Sequence, residues 1–176
     1  WMDRNLGASR VATSITDTSA YGDLYQWGRG ADQHQSRKST TIATQSSTDV
    51  PGNANFILPN TPLTDWRNPA NVNLWQGVNG INNPCPTGFR LPTEAEWNTE
   101  LSSWTTKNAD GAFASPLKLT VAGSREITIN GAGTSGSYWS STISGDGSRY
   151  LNISSAGSFV LTHNRSYGGS IRCIKE

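Results

Sequence analysis

The chain has 176 residues and a formal net charge of +1, and charged residues make up 15% of it. This length is typical of one domain with a single core, and the near-neutral charge excludes a general electrostatic attraction to nucleic acid or anionic membranes. The chain is rich in tryptophan, with 7 residues, and in glycine, with 18 residues. Because the aromatic residues are spread along the whole chain, they favour a folded, loop-rich domain over a disordered one.

No apolar run is long enough to span a bilayer, so we predict no membrane insertion by this segment. No signal peptide is visible, and the start at Trp1 without an initiator Met indicates a fragment of a longer protein. Cys85 and Cys173 form neither a C-x-x-C pair nor a Cys/His cluster, so neither a metal site nor a cofactor is predicted.

The spacing of Cys85 and Cys173 favours neither a disulfide between them nor two free thiols. We predict a Cys85–Cys173 disulfide, which closes a long loop and contributes on the order of 4 kcal/mol in the chain-entropy treatment. Such a bond implies an extracytoplasmic compartment.

The first half of the chain predicts few regular elements. Residues 1–8 are expected to form a short edge strand, and 21–30 one or two helical turns, because Tyr21, Leu24 and Trp27 recur every third residue. Residues 31–63 predict a long polar loop that is too poor in apolar residues for core elements. The anchors predicted to pin this region to the body are Leu63, Trp66, Leu74 and Trp75.

A capping box gives the strongest element of the sequence. Thr93 and Glu96 have the spacing at which each side chain satisfies a free backbone N–H of the other residue. Trp97, Leu101 and Trp104 follow at i, i+4 and i+7, which predicts an amphipathic helix at about 93–105. Period-two alternation then predicts short strands around 117–121 and 127–129. One or two helices with several short strands predict an α+β or mostly-β fold with irregular loops.

The C-terminal stretch predicts a hairpin with strands at 149–154 and 158–162, joined by a turn at 155–157, and a last strand at 170–174. Side chains alternate across a strand. The alternation therefore predicts that four apolar residues face the core, namely Leu151, Ile153, Phe159 and Leu161. It gathers polar side chains on the opposite, exposed face, namely Ser148, Tyr150, Asn152, Ser154, Ser158 and Thr162. Tyr among small polar residues is typical of a recognition surface.

Several other patterns have simpler explanations than catalysis. Residues 131–136 match G-x-G-x-x-G, but the following SYWSST does not open a helix, so we interpret them as a turn. His34 is expected to be solvated, whereas His163 is a candidate contact residue. Capping and the helix dipole explain Glu94 and Glu96.

The tryptophans are more consistent with packing than with a sugar platform, namely Trp27, Trp66, Trp75, Trp97, Trp104 and Trp139. Sequons at Asn152 and Asn164 matter only in a eukaryotic secreted chain. No catalytic constellation is found.

Five segments resemble a known family in their order along the chain. They are WMDRNL, YGDLYQWGR, NPCPTGFRLPTEAEW, GSYWSST and GGSIRCIKE. In this order the chain resembles the Fibrobacter succinogenes major paralogous domain over nearly its whole length. That resemblance implies a C-type-lectin-like fold, in the branch that formylglycine-generating enzymes share, and a likeness to the variable proteins of diversity-generating retroelements.

The resemblance implies a display function rather than an enzyme. In retroelement variable proteins a reverse transcriptase rewrites adenine positions of a C-terminal segment, and the fold presents the new side chains to a ligand. Formylglycine-generating enzymes use a cysteine pair near the C-terminus, and here only Cys173 is present there. The EPN and QPD triplets of calcium-dependent sugar binders are absent from the sequence.

We therefore expect a single C-type-lectin-like ligand-binding domain over 1–176, with its variable-type surface in 136–170. The expected partner is a protein or glycan ligand on a cell surface, not nucleic acid, and the expected location is a bacterial cell surface or a phage particle. The alternative is an invariant adhesin domain of the same fold with a fixed partner. The predicted ligand-binding residues are Ser144, Ser148, Tyr150, Asn152, Ser154, Ser158, Thr162, His163, Asn164, Ser166 and Tyr167.

Overall fold

A computed structural model describes residues 1–60 and 64–176. It is a mixed α/β fold made mostly of short strands, with two α-helices and a short 3-10 turn at Thr18–Ala20. The helices are α1 Glu94–Ser103 and α2 Ala109–Ala114. The strands are β1 Tyr25–Gln26, β2 Thr41–Ile42, β3 Phe56–Ile57, β4 Phe89–Arg90, β5 Ser124–Arg125, β6 Ile129–Asn130, β7 Ser135–Ser144, β8 Gly147–Ser154, β9 Gly157–Asn164, β10 Gly168–Gly169 and β11 Ile174–Lys175.

The largest strands form one antiparallel sheet of order β7-β8-β9. A second sheet of order β1-β10-β5-β6 runs beside β7, where Ser170 N donates to Ser137 O at 2.8 Å and Trp139 N donates to Ser170 O at 3.0 Å. The pairs β11-β4 and β2-β3 complete the sheets of the described residues. Among the described residues, β7, β8 and β9 are the longest strands, and β8 and β9 form the C-terminal hairpin of this sheet.

Two hydrophobic clusters lie on the two sides of β7. Tyr138 belongs to the first cluster, beneath the sheet, where it packs with Trp97 of α1 and with Leu151 and Ile153 of β8. The next residue, Trp139, belongs to the second cluster, with its indole Nε1 donating to Tyr25 O at 2.8 Å. Successive side chains of a strand point to opposite faces, so β7 is covered on both sides. The six tryptophans predicted to be packing anchors are all buried, namely Trp27, Trp66, Trp75, Trp97, Trp104 and Trp139.

The predicted helix at 93–105 is confirmed as α1. Thr93 Oγ1 accepts a hydrogen bond from Glu96 N at 3.3 Å, and Glu96 Oε2 accepts one from Thr93 N at 2.7 Å, so both halves of the capping box are present. Trp97 and Trp104 are buried and Leu101 packs against the same cluster. The anchors Trp66, Leu74 and Trp75 are buried as predicted, whereas Leu63 lies outside the described residues.

Elements of the first half differ from the predictions. Residues 1–8 form no strand, although Met2 N and Leu6 N donate to the carbonyls of Cys173 and Ile171. The predicted helical turns at 21–30 are wrong, because β1 lies there and pairs with β10. Leu24, Tyr25, Gln26 and Trp27 are all buried, and a segment buried on every side has no solvent-facing stripe for an amphipathic helix to present.

The segment 31–60 is mostly irregular, as predicted, but it does contribute to the core. β2 and β3 pair in parallel, and Phe56, Ile57 and Leu58 are buried. Residues 117–121 bury their apolar side chains but form no strand, because Leu117 lies in a turn and Lys118 has a left-handed φ of 50°. Ile127 is 77% exposed at the turn between β5 and β6. The predicted last strand at 170–174 is regular only at β11.

Candidate ligand-binding face

The register of the β8–β9 hairpin decides which side chains share a face. Ser154 pairs with Gly157, Asn152 with Phe159, and Tyr150 with Leu161, so the connection contains only residues 155 and 156. Cross-strand partners project to the same side of a sheet. We call the side formed by Tyr150, Asn152, Phe159, Leu161 and His163 the outer face; these residues are paired or alternate within the two strands.

The prediction that Phe159 and Leu161 face the core is wrong. Phe159 is 58% exposed and Leu161 is 43% exposed, whereas Val160 packs against the cluster beneath the sheet. The predicted turn at 155–157 is one residue longer than the observed connection, which contains only residues 155 and 156. A register shift of one residue moves every side chain of a strand to the other face, which accounts for the inversion of β9.

Phe159 and Leu161 are the outer-face residues that sequence reasoning missed. The signal that could have found them is turn length, because two-residue loops are the commonest hairpin connections. With Ser154 placed opposite Gly157, alternation brings Phe159 beside Asn152. The outer face therefore carries an apolar strip in addition to the predicted polar side chains.

Aromatic rings contact one another on and beside the outer face. The rings of Tyr150 and His163 stack with centroids 5.2 Å apart, and Tyr167 meets His163 edge-on at 4.4 Å. Trp139 supports Tyr150 from within the core at 6.0 Å. The predicted site residues Tyr150, His163 and Tyr167 thus lie together, and contact of these rings with a ligand stays a prediction.

The outer face carries no formal charge at neutral pH. Burial lowers the pKa of His163 to about 4, because the protonated imidazolium loses hydration that nothing replaces. Burial also raises the pKa of Tyr150, so its phenol stays neutral. Asn152, Phe159 and Leu161 are uncharged. Contacts with this face therefore depend on shape, apolar area and neutral hydrogen bonds rather than on ion pairs.

Ser148 lies on the predicted side of β8 but is fully buried, so the prediction of its exposure is wrong. Its hydroxyl accepts a hydrogen bond from Arg165 Nε at 3.0 Å. The same guanidinium donates to Gly145 O at 2.9 Å and Gly147 O at 2.8 Å, and it reaches Asp65 Oδ2 at 3.3 Å. Ser148 therefore belongs to a buried network that holds the tip of the β7–β8 hairpin.

Ser158 is also buried, against the prediction that it is exposed, and Ser166, a predicted ligand-binding residue, is buried as well. Ser158 lies on the inner side of β9, since it pairs with Ile153. Ser166 is 0% exposed, and its carbonyl accepts a hydrogen bond from Gln26 Nε2 at 2.5 Å. A ligand on the surface does not reach side chains that are buried in this way. Ser158 and Ser166 therefore belong to the structure beneath the outer face.

Ser144 and Thr162 lie near the helix rather than on the outer face. Thr162 pairs with Arg149, on the inner side of the sheet, and its hydroxyl donates to Ser144 Oγ at 3.1 Å. Arg149 donates to Thr162 Oγ1 at 3.0 Å and forms an ion pair with Glu94 of α1 at 2.5 Å. These polar groups satisfy one another, and Thr162 is the exposed member at the rim.

Ser154 and Asn164 lie at the two ends of the hairpin, both partly buried. The hydroxyl of Ser154 donates to Gly157 O at 3.0 Å, across the connection between the strands. The carbonyl of Asn164 accepts from Tyr167 N at 3.1 Å, which places Tyr167 next to His163. Of the eleven predicted ligand-binding residues, the structure brings together Tyr150, Asn152, His163 and Tyr167 as one surface.

His34 is a buried structural residue, so the expectation that it is solvated is wrong. It is 0% exposed, its Nε2 accepts a hydrogen bond from Gln26 N at 3.0 Å, and its Nδ1 lies 2.5 Å from Asp32 Oδ1. Acceptance at Nε2 requires a neutral ring that carries its proton on Nδ1. Burial, only partly offset by Asp32, lowers the pKa of His34 to about 4.

The remaining sequence candidates have simple structural roles. Within the motif at 131–136, residues 131–134 form a turn in which Gly131 and Gly133 have φ of 68° and 89°, and strand β7 begins at Ser135 where the motif would need a helix. Cys85 and Cys173 form the predicted disulfide, with S–S 2.11 Å. In residues 1–60 and 64–176, His, Cys, Asp and Glu side chains form no group of three that could hold a metal ion.

Comparisons with protein-family models, with curated proteins and with solved structures gave no match. Neither of the helices in the described residues has the length and apolar character needed to cross a membrane.

Proposed function

We propose that this chain is a non-enzymatic ligand-binding module that uses the outer face and Tyr167 as its contact surface. The observation that carries the proposal is the pair of exposed apolar side chains, Phe159 and Leu161, which lie beside partly buried aromatic and amide side chains on an otherwise well-packed hairpin. Exposed apolar groups beside rigid tyrosines are typical of recognition surfaces, because they supply contact area at low entropic cost.

The frame beneath this surface supports the proposal. Leu151 and Ile153 are fully buried, and the buried Arg165 fixes the β7–β8 tip by its bonds to the carbonyls of Gly145 and Gly147. Loops and strand faces that are held by such a scaffold tolerate changes of their outward side chains. This division is what a C-type-lectin-like display protein requires, and the five family-like segments are our reason to propose that fold and a relation to retroelement variable proteins.

The proposed location is extracytoplasmic, on a bacterial cell surface or a phage particle. The disulfide between Cys85 and Cys173 is compatible with such a location, since disulfides persist in oxidising compartments. The proposed partner is a ligand on a cell surface. An enzyme of the formylglycine-generating kind would need a cysteine pair, and both cysteines of this chain are used in the disulfide.

Sequencing the locus across a natural population tests the proposal. Substitutions are expected to concentrate at six positions, namely Tyr150, Asn152, Phe159, Leu161, His163 and Tyr167. Leu151, Ile153 and Val160 are the matched control, because they occupy the same two strands but face inward. Even variation over both sets would contradict a diversified surface. A fixed outer face in a genome without a nearby reverse transcriptase and template repeat would favour the invariant adhesin.

A binding assay tests the surface whether or not it is diversified. The probe is an array of bacterial glycans and surface proteins, screened with the intact chain and with the double variant Phe159→Ala, Tyr150→Ala. The control variant is Val50→Ala, Ile127→Ala, which removes apolar groups that are 61% and 77% exposed elsewhere. Loss of every array signal in the first variant alone supports the proposal, and equal signals in both variants oppose it.

A further inference from the structure

Strand β9 is an edge of its sheet, since the order is β7-β8-β9. Its sequence, GSFVLTHN, contains no Lys, Arg, Asp, Glu or Pro. Natural proteins commonly protect edge strands with charges, proline or a covering segment, because unpaired backbone groups accept another strand. The absence of both charge and proline over this strand makes β9 a suitable template for strand addition.

The hydrogen bonds at its ends show which backbone groups point away from β8. Ser158 N donates to Lys107 O at 2.8 Å, so the peptide groups of Ser158 are directed outward from the hairpin. In an antiparallel pair this direction recurs at every second residue. Val160 and Thr162 therefore also direct their N–H and C=O groups outward. At the far end, Asn164 O accepts from Tyr167 N.

Between these two ends lies an open section of edge. Within residues 1–60 and 64–176, no hydrogen bond reaches the outward backbone groups of Val160 or Thr162. Thr162 is exposed, and its neighbour Leu161 is 43% exposed. The section offers the outward N–H and C=O groups of Val160 and Thr162 to an added strand.

The side chains beside this section select the kind of strand that fits. Phe159 and Leu161 present apolar surface on the outer face, at alternate positions. Arg149, which stands opposite Thr162, is already paired with Glu94 at 2.5 Å, and the ammonium of Lys107 donates to the carbonyls of Leu101, Ser102 and Trp104. An added strand with alternating apolar residues and no net charge would cover Phe159 and Leu161 while its backbone pairs with the edge.

We propose that the ligand of the outer face is a polypeptide that adds an uncharged, extended segment to the edge of β9. Its backbone bonds to Val160 and Thr162, and its apolar side chains lie on Phe159 and Leu161. This inference rests on the proposed function, and it selects a protein rather than a glycan, because a glycan lacks a regular series of amide groups. Strand addition gives affinity through the main chain and specificity through alternate side chains.

The probe is a phage-displayed library of random linear peptides, selected on the immobilised chain. The enriched peptides are expected to alternate aliphatic or aromatic residues with neutral polar ones. A synthetic copy of the best peptide is then titrated into three proteins, namely the wild type, Thr162→Pro and Thr162→Ala. Proline removes the outward N–H and is tolerated on edge strands. Alanine removes the hydroxyl contacts with Arg149 and Ser144 but keeps the N–H.

We expect Thr162→Pro to weaken binding about tenfold or more, as the loss of one backbone hydrogen bond implies, and Thr162→Ala to stay within about twofold of the wild type. Amide hydrogen exchange on the wild type gives a second readout that does not depend on the folding of the proline variant. Saturating peptide is expected to slow exchange at Val160 and Thr162.

Three results would overturn the inference. The first is equal binding by Thr162→Pro and Thr162→Ala with unchanged exchange at Val160 and Thr162. The second is a library without enriched peptides beside a glycan array with bound spots. The third is sedimentation showing that the wild type dimerises through β9 while Thr162→Pro is a monomer. If Phe159→Ser abolishes peptide binding but Thr162→Pro does not, the outer face remains the binding surface and only strand addition fails.

Discussion

Leu151 and Val160 stand opposite each other across the β8–β9 pair, and both pack into the cluster beneath the sheet. Their neighbours in the next pair, Tyr150 and Leu161, project to the outer face instead. This relationship separates the hairpin into an inward set that stabilises the fold and an outward set that is available to a ligand. The two sets predict different responses to substitution.

Leu151→Ala is expected to lower the free energy of unfolding by about 2–5 kcal/mol, since it leaves a cavity in a fully buried site. Leu161→Ala is expected to change it by only about 0.5 kcal/mol, because the side chain is 43% exposed. Urea unfolding followed by tryptophan fluorescence measures both. Equal losses in the two variants would show that β9 has the opposite register.

The capping box of α1 predicts a pH-dependent contribution to stability. Arg90 and the Thr93 N–H lower the pKa of Glu96 to about 2. Because the folded pKa lies below the unfolded value, this contribution is complete above about pH 4.5 and is lost as the pH falls toward 2. Thr93→Ala is expected to cost about 1 kcal/mol at pH 7. Thr99→Ala is the control, at an exposed position of the same helix, and a similar cost there would contradict the role of the cap.

The capping box also shows which parts of the fold the sequence could predict. α1 was predictable because its cap and its apolar stripe are local, and Trp97 needs no knowledge of distant residues to be assigned inward. β1 was not, because Tyr25 and Gln26 become a strand only through pairing with Gly169 and Gly168 far along the chain. Tertiary pairing there outweighs the helical spacing of Tyr21, Leu24 and Trp27.

The candidate site was predictable as a segment but not as a surface. Composition located the stretch that contains Tyr150, Asn152 and His163. Composition does not count the residues in a turn, so the inversion of Phe159 and Leu161 was out of reach without the register. Ser148 was assigned to the correct side of β8, yet its burial depends on Arg165, whose position is set by Asp65 and by two carbonyls of the β7–β8 tip.

The disulfide predicts a large loss of stability on reduction. It joins residues separated by 88 positions, and Cys173 is fully buried. Reduction, or the double variant Cys85→Ser, Cys173→Ser, is expected to lower the free energy of unfolding by roughly 4–5 kcal/mol in the chain-entropy treatment. Thiol titration of the unfolded, unreduced chain is expected to find no free thiol, and two thiols would contradict the bond.

The two histidines predict weakening of the fold in mild acid. The pKa of His34 and the pKa of His163 are both lowered to about 4 by burial, so each folded value lies below the ordinary 6.5. The unfolded chain therefore binds more protons between about pH 6.5 and pH 4, and stability falls as the pH is lowered through this range. For fully buried His34, which faces Asp32, Arg29 and Arg125, the slope reaches about 1.4 kcal/mol per pH unit.

Proton NMR measures the two histidine pKa values directly, because the chain has only 2 histidines. The Cε1–H resonances are expected to titrate near pH 4, and His163→Gln assigns them by removing one. Unfolding experiments on the wild type and on His163→Gln at pH 7 and pH 5 then separate the two contributions. A resonance that titrates near pH 6.5 would show that its imidazole is hydrated, contrary to the burial described above.

Ser148 and Phe159 predict opposite behaviour, although both lie on the outer side of the hairpin. Ser148→Ala removes the acceptor of Arg165 Nε, and an unpaired N–H on a buried guanidinium costs about 1–3 kcal/mol of stability. Phe159→Ala leaves stability nearly unchanged, because the ring is 58% exposed, but removes contact area from the ligand surface. Urea unfolding of both variants measures the difference, and population sequences are expected to keep Ser148 while Phe159 varies. Stability loss in Phe159→Ala with none in Ser148→Ala would mean that frame and contact surface are assigned the wrong way round.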